Sequence, residues 1–124
     1  MRNKIKNGLK LTTVMVLLIS LNGCYYDQVV PDGPPPGKII SFSTDIQPIF
    51  DNKCNGCHPP AGGLDLTAGN AYESINKTPY VDVSNPGSST IYTVPAPTAS
   101  HGGTYSPGEA ATVLQWIEQG AEDN

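Results

Sequence analysis

Hydrophobic residues fall along this chain in short, separated clusters. Leu11 to Leu21 form an apolar run of eleven residues, about half the ~20 that a membrane-crossing helix requires. Tyr25 to Lys38, with four prolines and two glycines, has no hydrophobic period from which an element could bury a face. Ile46, Ile49 and Phe50 then mark one face of a short helix leading into Lys53. Thr44 and Gln47 have the spacing of a capping box for it, and Pro48, at the end of its first turn, removes at most one backbone bond. A second helix is expected over residues 68–75, capped by Thr67, with Ala68, Ala71, Tyr72 and Ile75 on one face. Thr78 to Thr98 holds four prolines and reads as loop, with one helical turn near Ser89 to Tyr92.

The last cluster is the most regular. Ser106, Pro107 and Glu109 supply an N-cap, a first-position proline and the third-position acid of a capping box, and Gly120 supplies a stop. Between them Ala110, Val113, Leu114 and Ile117 recur at i, i+3, i+4 and i+7 beside Trp116, the pattern of a packed amphipathic helix. These clusters predict an all-α domain.

Composition narrows the picture. At 124 residues with 38% hydrophobic and 15% charged, the chain has room for one small domain and none for a large enzyme scaffold. Arg2, Lys4, Lys6 and Lys10 all precede the apolar run, whereas every acid follows position 26. Basic start and short apolar core are the parts of a secretory signal peptide. Leu21-Asn22-Gly23-Cys24 behind them resembles the lipobox of bacterial lipoproteins, which implies that residues 1–23 are removed and that Cys24 carries lipid. Two or three acyl chains at ~0.8 kcal/mol per buried CH₂ make such an anchor effectively permanent. The expected organisation is therefore a signal peptide over residues 1–23, lipidated Cys24 with a Pro/Gly-rich tether over residues 24–40, and a domain over residues 41–124. Its expected location is the cell envelope, and Tyr25 after the anchor resembles an outer-membrane sorting signal. Removing the first 23 residues leaves three cations against eleven acids, a net charge of -8. An acidic body without a basic stripe excludes nucleic acid as a natural partner.

With Cys24 assigned to lipid, the remaining cysteines stand in Cys54-Asn55-Gly56-Cys57-His58. This is the C-x-x-C-H attachment signal of c-type haem. Two thiols three positions apart on one turn can each add to a haem vinyl group, and the following imidazole then lies beneath the iron. Rival readings are a Cys54–Cys57 disulfide, a thioredoxin-like pair, and a zinc site using Cys54, Cys57, His101 and His58. The redox pair needs a βαβ setting that this chain lacks. Adjacent Cys57 and His58 fit poorly on two vertices of one tetrahedron. There is no second C-x-x-C-H, no internal repeat, no Ser-His-Asp arrangement and no phosphate-cradling glycine loop, so one haem is the ceiling.

From Thr44 to Gly120 the chain resembles a small class I-type c cytochrome domain of the kind carried by bacterial lipoproteins. The resemblance runs through D-I-Q-P-I-F, C-N-G-C-H, G-G-L-D-L, P-G-S-S-T-I-Y and W-I-E-Q-G-A. It implies N- and C-terminal helices packed around one covalent haem c, with Cys54 and Cys57 as thioether anchors and His58 as proximal ligand. The implied function is single-electron transfer to a redox protein partner. In much of that family a late-loop methionine ligates the second face of the iron, yet the only methionines here are Met1 and Met15. His101, before the last helix, is the expected distal ligand, with Gly102 and Gly103 allowing close backbone approach to a flat cofactor. Lys38, Lys53 and Lys77 are weaker candidates, since each must lose a proton to bind. Exchanging methionine for histidine lowers the potential, which points to a low-potential carrier rather than an enzyme. Tyr80, Tyr92 and Tyr105 are candidates for lining the pocket or donating to a propionate. Two alternatives stand: a haem enzyme or gas sensor with an open sixth position, and a non-haem envelope-binding lipoprotein in which Cys54 and Cys57 form a disulfide.

Overall fold

The computed structural model describes residues 32–59 and 63–124. The signal peptide, Cys24 and the first part of the tether lie outside the described residues, among which no helix is long and apolar enough to cross a membrane. The described chain is helical and contains no strand. A π-helical turn, Phe42–Ile46, continues into α1, Gln47–Lys53. Short helices α2, Ala71–Ile75, and α3, Thr90–Thr93, follow, the latter after a 3₁₀ turn at Pro86–Ser88. The longest element is α4, Pro107–Glu118.

The first helix starts earlier than the sequence pattern suggests, at Ser41 rather than Thr44. Ser41 Oγ accepts the Thr44 N–H, and Asp45 returns a carboxylate oxygen to the Ser41 N–H at 3.0 Å. The remaining free N–H groups are met from the far end of the chain: Asn124 Oδ1 accepts from Phe42 N at 2.8 Å and the Asn124 main-chain oxygen from Ser43 N at 3.0 Å. Because helix starts leave unmet donors, this clasp decides the boundary. Gln47 is freed from capping; it is buried, and its Nε2 donates to Asp51 and to the Leu66 carbonyl at 3.1 Å.

Helix α4 follows its sequence signals closely. Ser106 Oγ accepts from Glu109 N while Glu109 Oε2 accepts from Ser106 N, a complete capping box with Pro107 at the first position. At the other end Gly120 has φ +105°. Gly120 N bonds the Ile117 carbonyl and Ala121 N the Trp116 carbonyl, the paired bonds of a Schellman stop.

The π-turn meets α4 near its C-terminus, where Phe42 and Trp116 lie 5.4 Å apart between ring centroids. Lys53 at the end of α1 pairs with Glu109 in the first turn of α4 at 2.9 Å, so the two helices run antiparallel. Tyr72 of α2 closes the aromatic cluster, edge-on to Phe42 at 5.3 Å and to Trp116 at 6.4 Å. Ile46, Phe50, Ile75, Val113 and Ile117 complete this core without exposure.

Two expectations shift. Helix α2 spans only 71–75 with Asn70 as its cap position, because Thr67 instead turns back onto Asp65 through both its amide and its hydroxyl. The packed body also begins before residue 41. Ile40 is 2% exposed, a Cβ on Gly33 would touch Ala111, and Gln115 and Gln119 both donate to the Lys38 carbonyl. Proline-rich chain needs no period of its own when a helix face supplies its partners.

Candidate functional site: a cleft between two histidines

Cys54 terminates α1, and its carbonyl accepts from the amides of Cys57 and His58 at 3.0 and 2.9 Å. The motif is thus wound into one tight turn. It faces a small open cleft of about 70 Å³, lined by Cys54, His58, His101 and Tyr105 among others. Leu64, Leu66, Ile91 and Val94 supply much of its apolar wall. The Leu66 amide donates to the His58 carbonyl at 3.2 Å, which ties the G-G-L-D-L segment to the motif. The long loop is tied in by Thr90 N to the Pro79 carbonyl at 2.9 Å, Ile91 N to the Tyr80 carbonyl at 3.1 Å, and Asp82 N to buried Ser89 Oγ at 2.9 Å.

The His58 and His101 rings lie 5.9 Å apart between centroids and only 9° from parallel. Two imidazoles ligating one ion from opposite sides, each at ~2.0 Å, bring their centroids to roughly 6 Å. Offset-stacked aromatic rings span ~4.5–7 Å, so other features must distinguish a ligand pair from a stack. One is the proton on His101. Its Nδ1 lies 2.8 Å from the Gly103 carbonyl, which can only accept. In the neutral ring Nδ1 therefore carries the proton and Nε2 keeps a lone pair, the arrangement that orients metal-bound histidines. The Gly103 amide, 3.3 Å from the same nitrogen, is the weaker contact. The other feature is the setting, in which both rings border an apolar cleft that also holds a thiol.

The two cysteines differ. Cys54 is buried and Cys57 exposed, and both are free thiols. Burial pushes the Cys54 thiol up from its ordinary range, with the Glu109 carboxylate adding to the effect. Among the described residues no three of His, Cys, Asp or Glu assemble as a metal-holding group, so the four ligands of a structural zinc site are not brought together.

None of Lys38, Lys53 and Lys77 lines the cleft. Lys38 is hydrogen-bonded to Asp45, and Lys53 to Glu109 and the Thr104 carbonyl. Of the three tyrosines, Tyr80 and Tyr105 line the cleft, whereas Tyr92 packs against the core away from it. Tyr105 donates its hydroxyl to the Ile91 carbonyl at 2.9 Å, and burial holds that hydroxyl above its ordinary pKa. Its proton is committed to α3 and is no donor for a ligand. The two glycines after His101 also divide. A Cβ on Gly102 would meet nothing within 4 Å, whereas one on Gly103 would lie 2.5 Å from the Lys53 carbonyl oxygen. The close approach at Gly103 is to the end of α1.

No family model matches this chain, and no curated protein or solved structure matches it. The functional reading therefore rests on the motif and on the geometry of the cleft.

Proposed function

We propose that this protein is a lipid-anchored, monohaem c-type cytochrome of the cell envelope that carries single electrons, with His58 and His101 as the two axial ligands. The observation that carries the reading is the C-x-x-C-H turn facing an apolar cleft whose lining also includes His101. The residues present suit a haem: a thiol at the cleft wall, a second thiol at the surface, apolar side chains for the ring, and His101, whose Nδ1 lies against the Gly103 carbonyl and leaves Nε2 uncommitted. Bound there, the haem supplies a one-electron couple. Cys54 and Cys57 would fix it to the chain, and His58 and His101 would be the residues that hold its metal. Histidine in place of methionine as the sixth ligand sets a low potential. The body's charge of -8 favours a partner with a basic face.

The test is maturation. Production with and without the cytochrome c maturation machinery should give, respectively, a chain heavier by one haem and a chain of polypeptide and lipid mass alone. Cys54→Ser combined with Cys57→Ser should abolish the added mass in the first case. A matured wild-type chain of polypeptide and lipid mass only overturns the proposal and favours the non-haem lipoprotein reading. Haem that binds carbon monoxide without any substitution favours the open-site enzyme or sensor.

A further inference from the structure

The loop bearing His101 is held against α1 by one residue. Gly103 offers its carbonyl to His101 Nδ1 at 2.8 Å, and its Cα faces the carbonyl of Lys53, the residue immediately before Cys54. The next residue, Thr104, gives its carbonyl to Lys53 Nζ at 3.3 Å, and the same ammonium pairs with Glu109 at 2.9 Å. Lys53 thus meets the distal loop twice, its carbonyl abutting Gly103 and its ammonium bonding the Thr104 carbonyl, while carrying the C-x-x-C-H turn on its C-terminal side. A Cβ at position 103 would sit 2.5 Å from the Lys53 oxygen and 3.5 Å from its carbon. Those are backbone atoms at the end of a helix, and they cannot swing aside as a flexible side chain would.

We propose that Gly103 is a positioning residue that sets the gap between His58 and His101 and so keeps His101 within bonding reach of the iron. The inference rests on the haem reading above and adds to it the device that holds the sixth ligand. Any side chain at 103 forces loop and helix apart by half an ångström or more to reach the 3.0 Å that real Cβ contacts keep. Metal–ligand distances tolerate only ~0.2 Å. The ring must then leave the iron or turn away from it.

Adjacent Gly102 supplies the internal control, because it carries the same loss of chain flexibility on substitution with no neighbour to strike. In the matured full-length protein, Gly102→Ala should keep the wild-type low-spin spectrum and remain inert to carbon monoxide. Gly103→Ala should show a high-spin component and change the carbon monoxide-reactive share of ferrous haem from essentially none to most of it. If the two variants behave alike, the proposal is overturned. Should Gly103→Ala fail to accumulate, Lys53→Met, which removes the ammonium and leaves the carbonyl, should move the spectrum the same way, with Lys53→Arg restoring it. A low-spin, inert Lys53→Met protein contradicts the latch. A wild-type chain that takes up no haem counts against the functional reading instead. The latch is then judged on the haem-free chain, where the nuclear Overhauser contact between the two imidazoles should weaken in Gly103→Ala and persist in Gly102→Ala; equal contacts in both overturn it.

Discussion

At the His101 ring a proton, a carbonyl and an open cleft meet within one turn of chain. The Gly103 carbonyl lies 2.8 Å from Nδ1, and the His101 and His58 ring planes are 9° from parallel with centroids 5.9 Å apart. If both rings hold the iron, removing one leaves a vacant position. His101→Ala should convert the ferric protein from low to high spin and make the ferrous form bind carbon monoxide, as read by absorption spectroscopy; an unchanged spectrum removes His101 from the site. The sequence singled out this residue as a candidate, since both methionines fall within the expected signal peptide and one histidine lies outside the motif. It did not disclose Gly103. A glycine pair after a histidine says nothing about which of the two has a neighbour, because the Lys53 carbonyl arrives from 50 positions away. Cleft residues such as Leu66, Thr90 and Ile91 were hidden for the same reason: each is a short-range loop or turn residue until the chain closes.

Among the elements, α4 was the most legible and the first helix the least. Every cap of α4 is local, from Ser106 and Glu109 at its start to Gly120 at its stop, so a stretch of about fifteen residues contains its boundaries. The first helix takes its cap partly from Asn124, which no window around Thr44 can contain. Substitution in α4 should follow the usual magnitudes. Ser106→Ala, which leaves the Glu109 amide unmet, should cost about 1 kcal/mol, measured as a lowered urea midpoint at unchanged slope. Trp116 is 1% exposed, sits between Phe42 and Tyr72, and donates to the Glu122 carbonyl at 3.0 Å. Trp116→Ala should cost ~3–5 kcal/mol, a large share of the stability of a domain this size. A cost below ~1 kcal/mol would place Trp116 outside the cooperative core.

At the scale of the molecule, charge and cleft set the conditions under which it stays folded. The Lys38 hydrogen bond holds the Asp45 carboxyl below its ordinary range. For Glu109 burial pushes the carboxyl up, but the Ser106 amide and the Lys53 ammonium outweigh it and leave the group below its ordinary value. A carboxyl whose folded pKa is depressed contributes stability above its unfolded value, and that stability is lost as pH falls through the folded one. Thermal midpoints should therefore hold level from neutral pH to about 5 and drop below about pH 4; a midpoint that rises on acidification contradicts the assignment of both pairs. The all-α class and small size were legible because they follow from local periods and length. The extent of the packed body was not, since Ile40 and the residues before it are ordered by Gln115 and Gln119 rather than by any pattern of their own. The most direct test of the whole is the visible spectrum of the protein matured in a host with cytochrome c assembly. It should show the sharp bands of six-coordinate, low-spin haem, indifferent to carbon monoxide; a colourless preparation contradicts the account.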